Sequence, residues 1–218
     1  MKLKDIGEFG FIKKISRGCL IRPDSIVKAI GDDAAAFTTD PTQVSLITTD
    51  LLVERIHFLR NAISGFDLGY KSLAVNLSDI AAMGGIARES FVSIAIPEDC
   101  PLEYLEAVYD GMKDLAARFD VNILGGDTTR SIIDLIINVV VHGTVARKEM
   151  LCRDAAEPGD VVFSTGYLGD SRAGLYLILN NIPADSDEWR NLLRAHLLPE
   201  PHLLEGRFLA QQPGGWIQ

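Results

Sequence analysis

Ile6, Phe9, Ile12 and Ile15 recur at three-residue spacing across residues 5–17, the stripe of an amphipathic helix that lays one face on a core. Strand-like runs follow at 25–30 and 44–48, and each reaches acidic residues within two positions, Asp32-Asp33 and Asp50. From 66 to 83 the residues after Lys71 are mostly apolar. That pattern predicts a helix buried on most faces, stopped by Gly84-Gly85. A strand at 91–96, a helix at 102–119, a short strand at 121–124 and a long one at 134–145 complete the first part. Strands alternating with helices of this length predict an α/β (α+β) fold, an N-terminal mixed sheet with packed helices.

The polar stretch 147–157 and the turn Pro158-Gly159-Asp160 then interrupt the pattern, which places a boundary near residue 148 and divides the chain into 1–147 and 148–218. The second part offers one strand, 161–164, and helices at 173–179, 189–197 and 202–209. A region of about 70 residues with one strand and no sheet is small for a self-sufficient core. The expectation is an incomplete, C-terminally truncated α/β domain.

Composition narrows the function. With 47% hydrophobic residues the 218-residue chain can bury a proper core, and 30 acidic against 21 basic residues give a formal charge of −9. A nucleic-acid partner held by phosphate neutralisation is therefore not expected, and a bound polyphosphate would need cations. Cys19, Cys100 and Cys152 form no CxxC pair, which fits reduced thiols rather than a disulfide framework or zinc. No run reaches the roughly 18 apolar residues of a membrane span, and Met1-Lys-Leu-Lys-Asp-Ile lacks a signal-peptide core, so the expected location is cytoplasmic.

Four segments share one format, an apolar stretch running into an aspartate beside glycine, threonine or serine: Gly31-Asp32-Asp33-Ala34, Thr48-Thr49-Asp50, Asn76-Leu77-Ser78-Asp79 and Gly125-Gly126-Asp127-Thr128-Thr129. Any one of them could merely cap a helix or close a turn. Asp79 resists that reading. It sits inside a predicted apolar helix with Asn76, Val75, Ala82 and Met83 as its helical neighbours, and a buried, unpaired charge costs several kcal/mol. A metal ion is the simplest compensation. Carboxylates with threonine hydroxyls, and no His or Cys cluster, are a magnesium set rather than a zinc set, and magnesium usually keeps substrate phosphates in its shell. ATP is the expected phosphate ligand. No GxxxxGK[ST] loop, GxGxxG after a strand, HRD or DFG occurs, which excludes the common nucleotide folds.

Taken in order, these segments resemble thiamine-monophosphate kinase, in the superfamily that includes aminoimidazole ribonucleotide synthetase and selenophosphate synthetase. The match rests on Gly7-Glu8-Phe9, the four aspartate segments, His57-Phe58, Gly69-Tyr70-Lys71, the unbroken run from Ala74 to Gly84, and Pro158-Gly159-Asp160. The resemblance implies direct transfer of the ATP γ-phosphoryl group to thiamine monophosphate, with several Mg²⁺ ions and no protein nucleophile. Carried onto this sequence, it makes Asp33, Thr48, Thr49, Asp50, Asp79 and Asp127 the metal ligands. Gly126, Asp127, Arg153, Asp110 and Tyr109 become ATP contacts, and His57 a substrate contact.

It also implies a homodimer formed by the N-terminal part. Taken without the resemblance, Arg153 reads as a solvated surface arginine, Tyr109 as core and His57 as a loop histidine. Gly166-Tyr167-Leu168-Gly169-Asp170-Ser171 opens a helix and could hold an anion or form a capped turn, of which the capped turn is the expectation. The family's Ser-Asp-Gly-Leu type segment has no counterpart here. Two rivals stay open: another ATP-using synthetase of the superfamily, and a catalytically impaired Mg-nucleotide-binding dimer module.

Overall fold

The computed structural model describes residues 3–16, 19–21, 23–38 and 40–212. The chain order is α1 (Leu3–Ile15), β1 (Ile26–Lys28), β2 (Ala35–Thr38), β3 (Gln43–Val53), α2 (Gly65–Ala82), β4 (Ile86–Pro97), α3 (Leu102–Arg118), β5 (Asn122–Ser131) and β6 (Ile136–Ala146). Two single 3-10 turns (Arg147–Glu149 and Arg153–Ala155), α4 (Asp170–Leu179), α5 (Asp187–Leu197) and α6 (Leu203–Ala210) follow.

The six strands form one mixed sheet in the order β1-β2-β3-β6-β4-β5. All neighbours are antiparallel except β4 and β5, whose parallel pairing requires the long crossover that α3 supplies. Strict alternation along β6 buries Ile137, Val139, Val141 and Val145 against the helices. Those helices approach closely. At Gly69 and Gly111 a β-carbon would fall 1.7 Å from the Val108 carbonyl and 1.9 Å from that of Phe66, so the α2–α3 contact is backbone against backbone. The opposite face of the sheet leaves Ile47, Leu51 and Phe91 exposed.

Most predicted helices form within a few residues of their expected bounds, and α2 is started by Ser64, whose hydroxyl accepts from the Asp67 amide at 3.0 Å. Several expectations need correction. The α1 stripe does not lie on the core, since Phe9 is 84% exposed and Ile15 is also exposed. Arg17, the expected end of that helix, and the final segment from Pro213 lie outside the described residues. Strand β2 was not anticipated. Strands β3 and β5 run further than expected, to Val53 and Ser131, because each gains a full ladder with β6 or β4. Asp50 and Gly125-Gly126-Asp127 therefore lie inside strands rather than just past their ends.

Residues 161–164 form no strand. Val161, Val162 and Phe163 stay exposed, since no described strand pairs with them. After Ala146 the described elements are helical only. Of these, α4 packs on α5, and α6 packs on α2, with Gly206 against the Ala81 carbonyl and Leu203 joining the core.

Candidate active site

β2 begins opposite Ile47, so from Thr48 onward β3 has a free edge on that side. The turn after β1 brings Asp33 to this edge. Its amide donates to Asp32 Oδ1 at 3.0 Å, and Gly31 takes a left-handed φ of 129° that favours glycine. On the helix-facing side of β3, Asp79 of α2 accepts the Thr48 hydroxyl at 2.5 Å, and Arg153 of the second 3-10 turn pairs with Asp33. Together Asp33, Thr48, Thr49, Asp50, Asp79 and Arg153 line an open cleft of about 590 Å³, with Phe9 and Ile12 of α1 on its wall.

Charge in the cleft is unevenly compensated. Asp33 has Arg153, and Asp32 has Lys28 at 3.7 Å. Asp50 and Asp79 have no ion-pair partner among the described residues. Burial, with Asp50's charge added and the Thr48 hydrogen bond opposing, pushes the Asp79 carboxyl up to about 6. Burial likewise raises Asp50, against a weaker pull from His57. Two adjacent carboxylates held above their ordinary range, with the Thr48 hydroxyl beside them, fit a hard divalent cation. Asp33, Thr48, Asp50 and Asp79 are the residues that would hold it.

Thr49 differs from Thr48. Strand alternation turns its side chain to the other face, where its hydroxyl accepts from Asn138 at 2.8 Å. It reaches the cleft because the cleft straddles the free edge of β3.

The remaining expected residues lie elsewhere. Asp50, Val139, Val92 and Gly126 form one row across the sheet, so Gly126 is three strand spacings, about 14 Å, from Asp50. Asp127 is in the next row, with Leu51, Asn138 and Ser93, which puts its side chain on the open face. There it accepts from its neighbour's Thr128 amide at 2.9 Å. On α3, Tyr109 packs against the core, and Asp110 pairs with Lys113 at 3.3 Å.

His57 accepts the Val53 amide on Nδ1 at 3.0 Å and lines a second cavity of about 300 Å³ with Lys71 and His196. Lys71 donates to the His196 carbonyl at 2.9 Å, and burial lowers the pKa of both side chains. Sequence reading missed Lys28, which binds Asp154 at 2.5 Å as well as Asp32. No local signal joins residues 126 positions apart. Asp32, Cys152 and Asp154 bring ligand atoms within 4.8 Å of one another, but the Lys28 ammonium already supplies the positive charge.

Residues 31–145 match the family described as AIR synthase related protein, N-terminal domain. The chain belongs to the AIR synthase related family. Within it, the chain is 39% identical over 202 residues to the thiamine-monophosphate kinase of Bacillus subtilis (strain 168), covering 92% of this chain and 62% of that protein. Against the thiamine-monophosphate kinase of Escherichia coli (strain K12) the values are 37% over 204 residues, 93% and 62%. Among solved structures, AaThiL complexed with AMPPCP and TMP superposes with a TM-score of 0.87 at 34% identity, over 97% of this chain and 65% of that one. The AIR synthase related chain thus spans less than two thirds of the length of these relatives. Among its described residues, no helix is long and apolar enough to cross a membrane.

Proposed function

We propose that this chain carries the magnesium and nucleotide half of a thiamine-monophosphate kinase, which transfers the ATP γ-phosphoryl group to thiamine monophosphate. The observation carrying this reading is the under-compensated carboxylate pair Asp50 and Asp79, set in a fold that superposes on AaThiL complexed with AMPPCP and TMP. Bound Mg²⁺ would screen the two anionic reacting groups from each other and absorb charge in a loose transition state. Asp33, Asp50 and Asp79 hold the ions, and Thr48 orients Asp79 through its hydroxyl. Arg153 offers a guanidinium fork to phosphate oxygens at the cleft mouth. His57 faces the acceptor.

The site is completed in this reading by a second copy. Asp127 and Gly126 sit about 14 Å from Asp50 within one chain, and Asp127 projects from the open sheet face that also exposes Ile47, Leu51 and Phe91. Pairing two such faces in a homodimer covers these side chains and brings Asp127, with Gly126 beside it in β5, toward the partner's nucleotide, while Tyr109 and Asp110 stay on α3 in the helix layer. Residues 1–147 are the dimerising unit, and 148–218 begin the substrate-side domain. A cytoplasmic location fits the three unpaired cysteines.

Incubation of the purified chain with ATP, Mg²⁺ and thiamine monophosphate, followed by chromatography, tests the reading. It predicts magnesium-dependent thiamine diphosphate. Transfer to a different acceptor while thiamine monophosphate stays intact would replace it with a synthetase. Mg-nucleotide binding with no thiamine diphosphate formed would support the second reading, a nucleotide-binding dimer module.

A further inference from the structure

Resting on the magnesium and ATP reading above, we propose that Arg153 is a resident counter-cation. Its guanidinium competes with a divalent ion for Asp33 and transfers to nucleotide phosphate when both ligands enter, so that the two bind cooperatively.

Asp33 is a constrained ligand. Its side chain is only 12% exposed, and one of its two oxygens, Oδ1, is taken by Arg153 Nη2. A cation shared by Asp33, Asp50 and Asp79 needs that carboxylate, and the arginine and the ion repel each other at such range. One must displace the other. Arg153 is built to yield: its side chain is 54% exposed, so leaving Asp33 exposes little new surface.

Its backbone need not follow. The neighbouring Asp154 is held by Lys28 at 2.5 Å, and Lys28 also faces Asp32, so the 3-10 turn stays tethered to the cleft wall while the arginine side chain swings. Phosphate oxygens are the partner that a planar fork of donors accepts most readily after a carboxylate. Because each ligand removes an obstacle to the other, the coupling is reciprocal: nucleotide tightens Mg²⁺, and Mg²⁺ tightens nucleotide by the same factor.

Isothermal titration of wild type, Arg153→Gln and Arg153→Lys with Mg²⁺ alone, then with Mg²⁺ in the presence of the non-hydrolysable analogue AMPPCP, tests this. Without nucleotide, Arg153→Gln is expected to bind Mg²⁺ about 2- to 5-fold more tightly than wild type, the range for losing one partly exposed ion pair. Arg153→Lys keeps a competing charge and stays near wild type. With AMPPCP the wild type gains Mg²⁺ affinity and Arg153→Gln gains much less. Equal or weaker Mg²⁺ binding by Arg153→Gln without nucleotide overturns the inference while leaving the magnesium reading intact. Absence of Mg²⁺ binding by all three proteins overturns both.

Discussion

Asp79→Asn isolates the electrostatic strain on which the site depends. In the wild type the Asp79 carboxyl is held at about 6, against an ordinary value of 3.8, chiefly by burial. A folded-state pKa above the unfolded one means that the group's stabilising contribution is complete below about pH 4 and is lost as pH rises through 6. The full shift would correspond to roughly 3 kcal/mol at 1.36 kcal/mol per unit. The carboxyl is only partly buried and solvent screens it, so about 1–2 kcal/mol is the expected penalty near neutrality.

Asparagine keeps the shape and cannot ionise. In the presence of a chelator, urea denaturation should find Asp79→Asn more stable than wild type by about 1–2 kcal/mol at pH 8, with the difference falling to about half at pH 5 and toward zero below about pH 4. Adding Mg²⁺ should reverse the order, because only the wild type gains the ion's binding energy. A stability difference that stays constant from pH 5 to pH 8, or that Mg²⁺ leaves unchanged, would refute this account of Asp79.

Other parts of the structure make equally direct predictions. Gly69→Ala places a β-carbon 1.7 Å from the Val108 carbonyl, so α2 and α3 must separate. A loss of about 2–4 kcal/mol in thermal or urea unfolding, or failure to fold, is expected. Glu54 is nearly buried, accepts the Leu135 amide at 2.9 Å and pairs with Arg60 at 3.1 Å. Glu54→Ala should cost about 3 kcal/mol by leaving Arg60 and that amide without it, measurable in the same unfolding assay. On the open sheet face, Leu51→Glu combined with Phe91→Glu should leave the monomer folded by circular dichroism and abolish the proposed dimer in sedimentation velocity.

The sequence reading was strongest where one periodicity ran unopposed. The apolar run that became α2 announced both its burial and the anomaly of Asp79, and the structure pairs that carboxylate with Thr48 across 31 positions. Strand ends were harder, because pairing rather than propensity sets them. Gly125 and Gly126 look like loop residues, yet the ladder with β4 carries them inside β5.

Tertiary context explains the other misses. The apolar run at 161–164 is strand-like, but a strand needs a neighbour, and none of the described strands pairs with it. The α1 stripe is helical as expected, while its Phe9 is spent on the cleft wall rather than on the core. Of the site, Asp33, Thr48, Thr49, Asp50, Asp79 and Arg153 line one cleft, though only the family resemblance, and no local pattern, pointed to Arg153. The position of Asp127 follows from sheet register, which sequence spacing does not reveal.

Whether the carboxylates of this cleft gather magnesium for a nucleotide's phosphates is decided by titrating AMPPCP into the purified chain with Mg²⁺, with chelator, and with Mg²⁺ into Asp79→Asn. Binding should require Mg²⁺ and weaken at least about tenfold in Asp79→Asn, the least expected from disturbing the groups around a bound metal. Nucleotide bound equally well in chelator, or unaffected by the substitution, would contradict the magnesium reading.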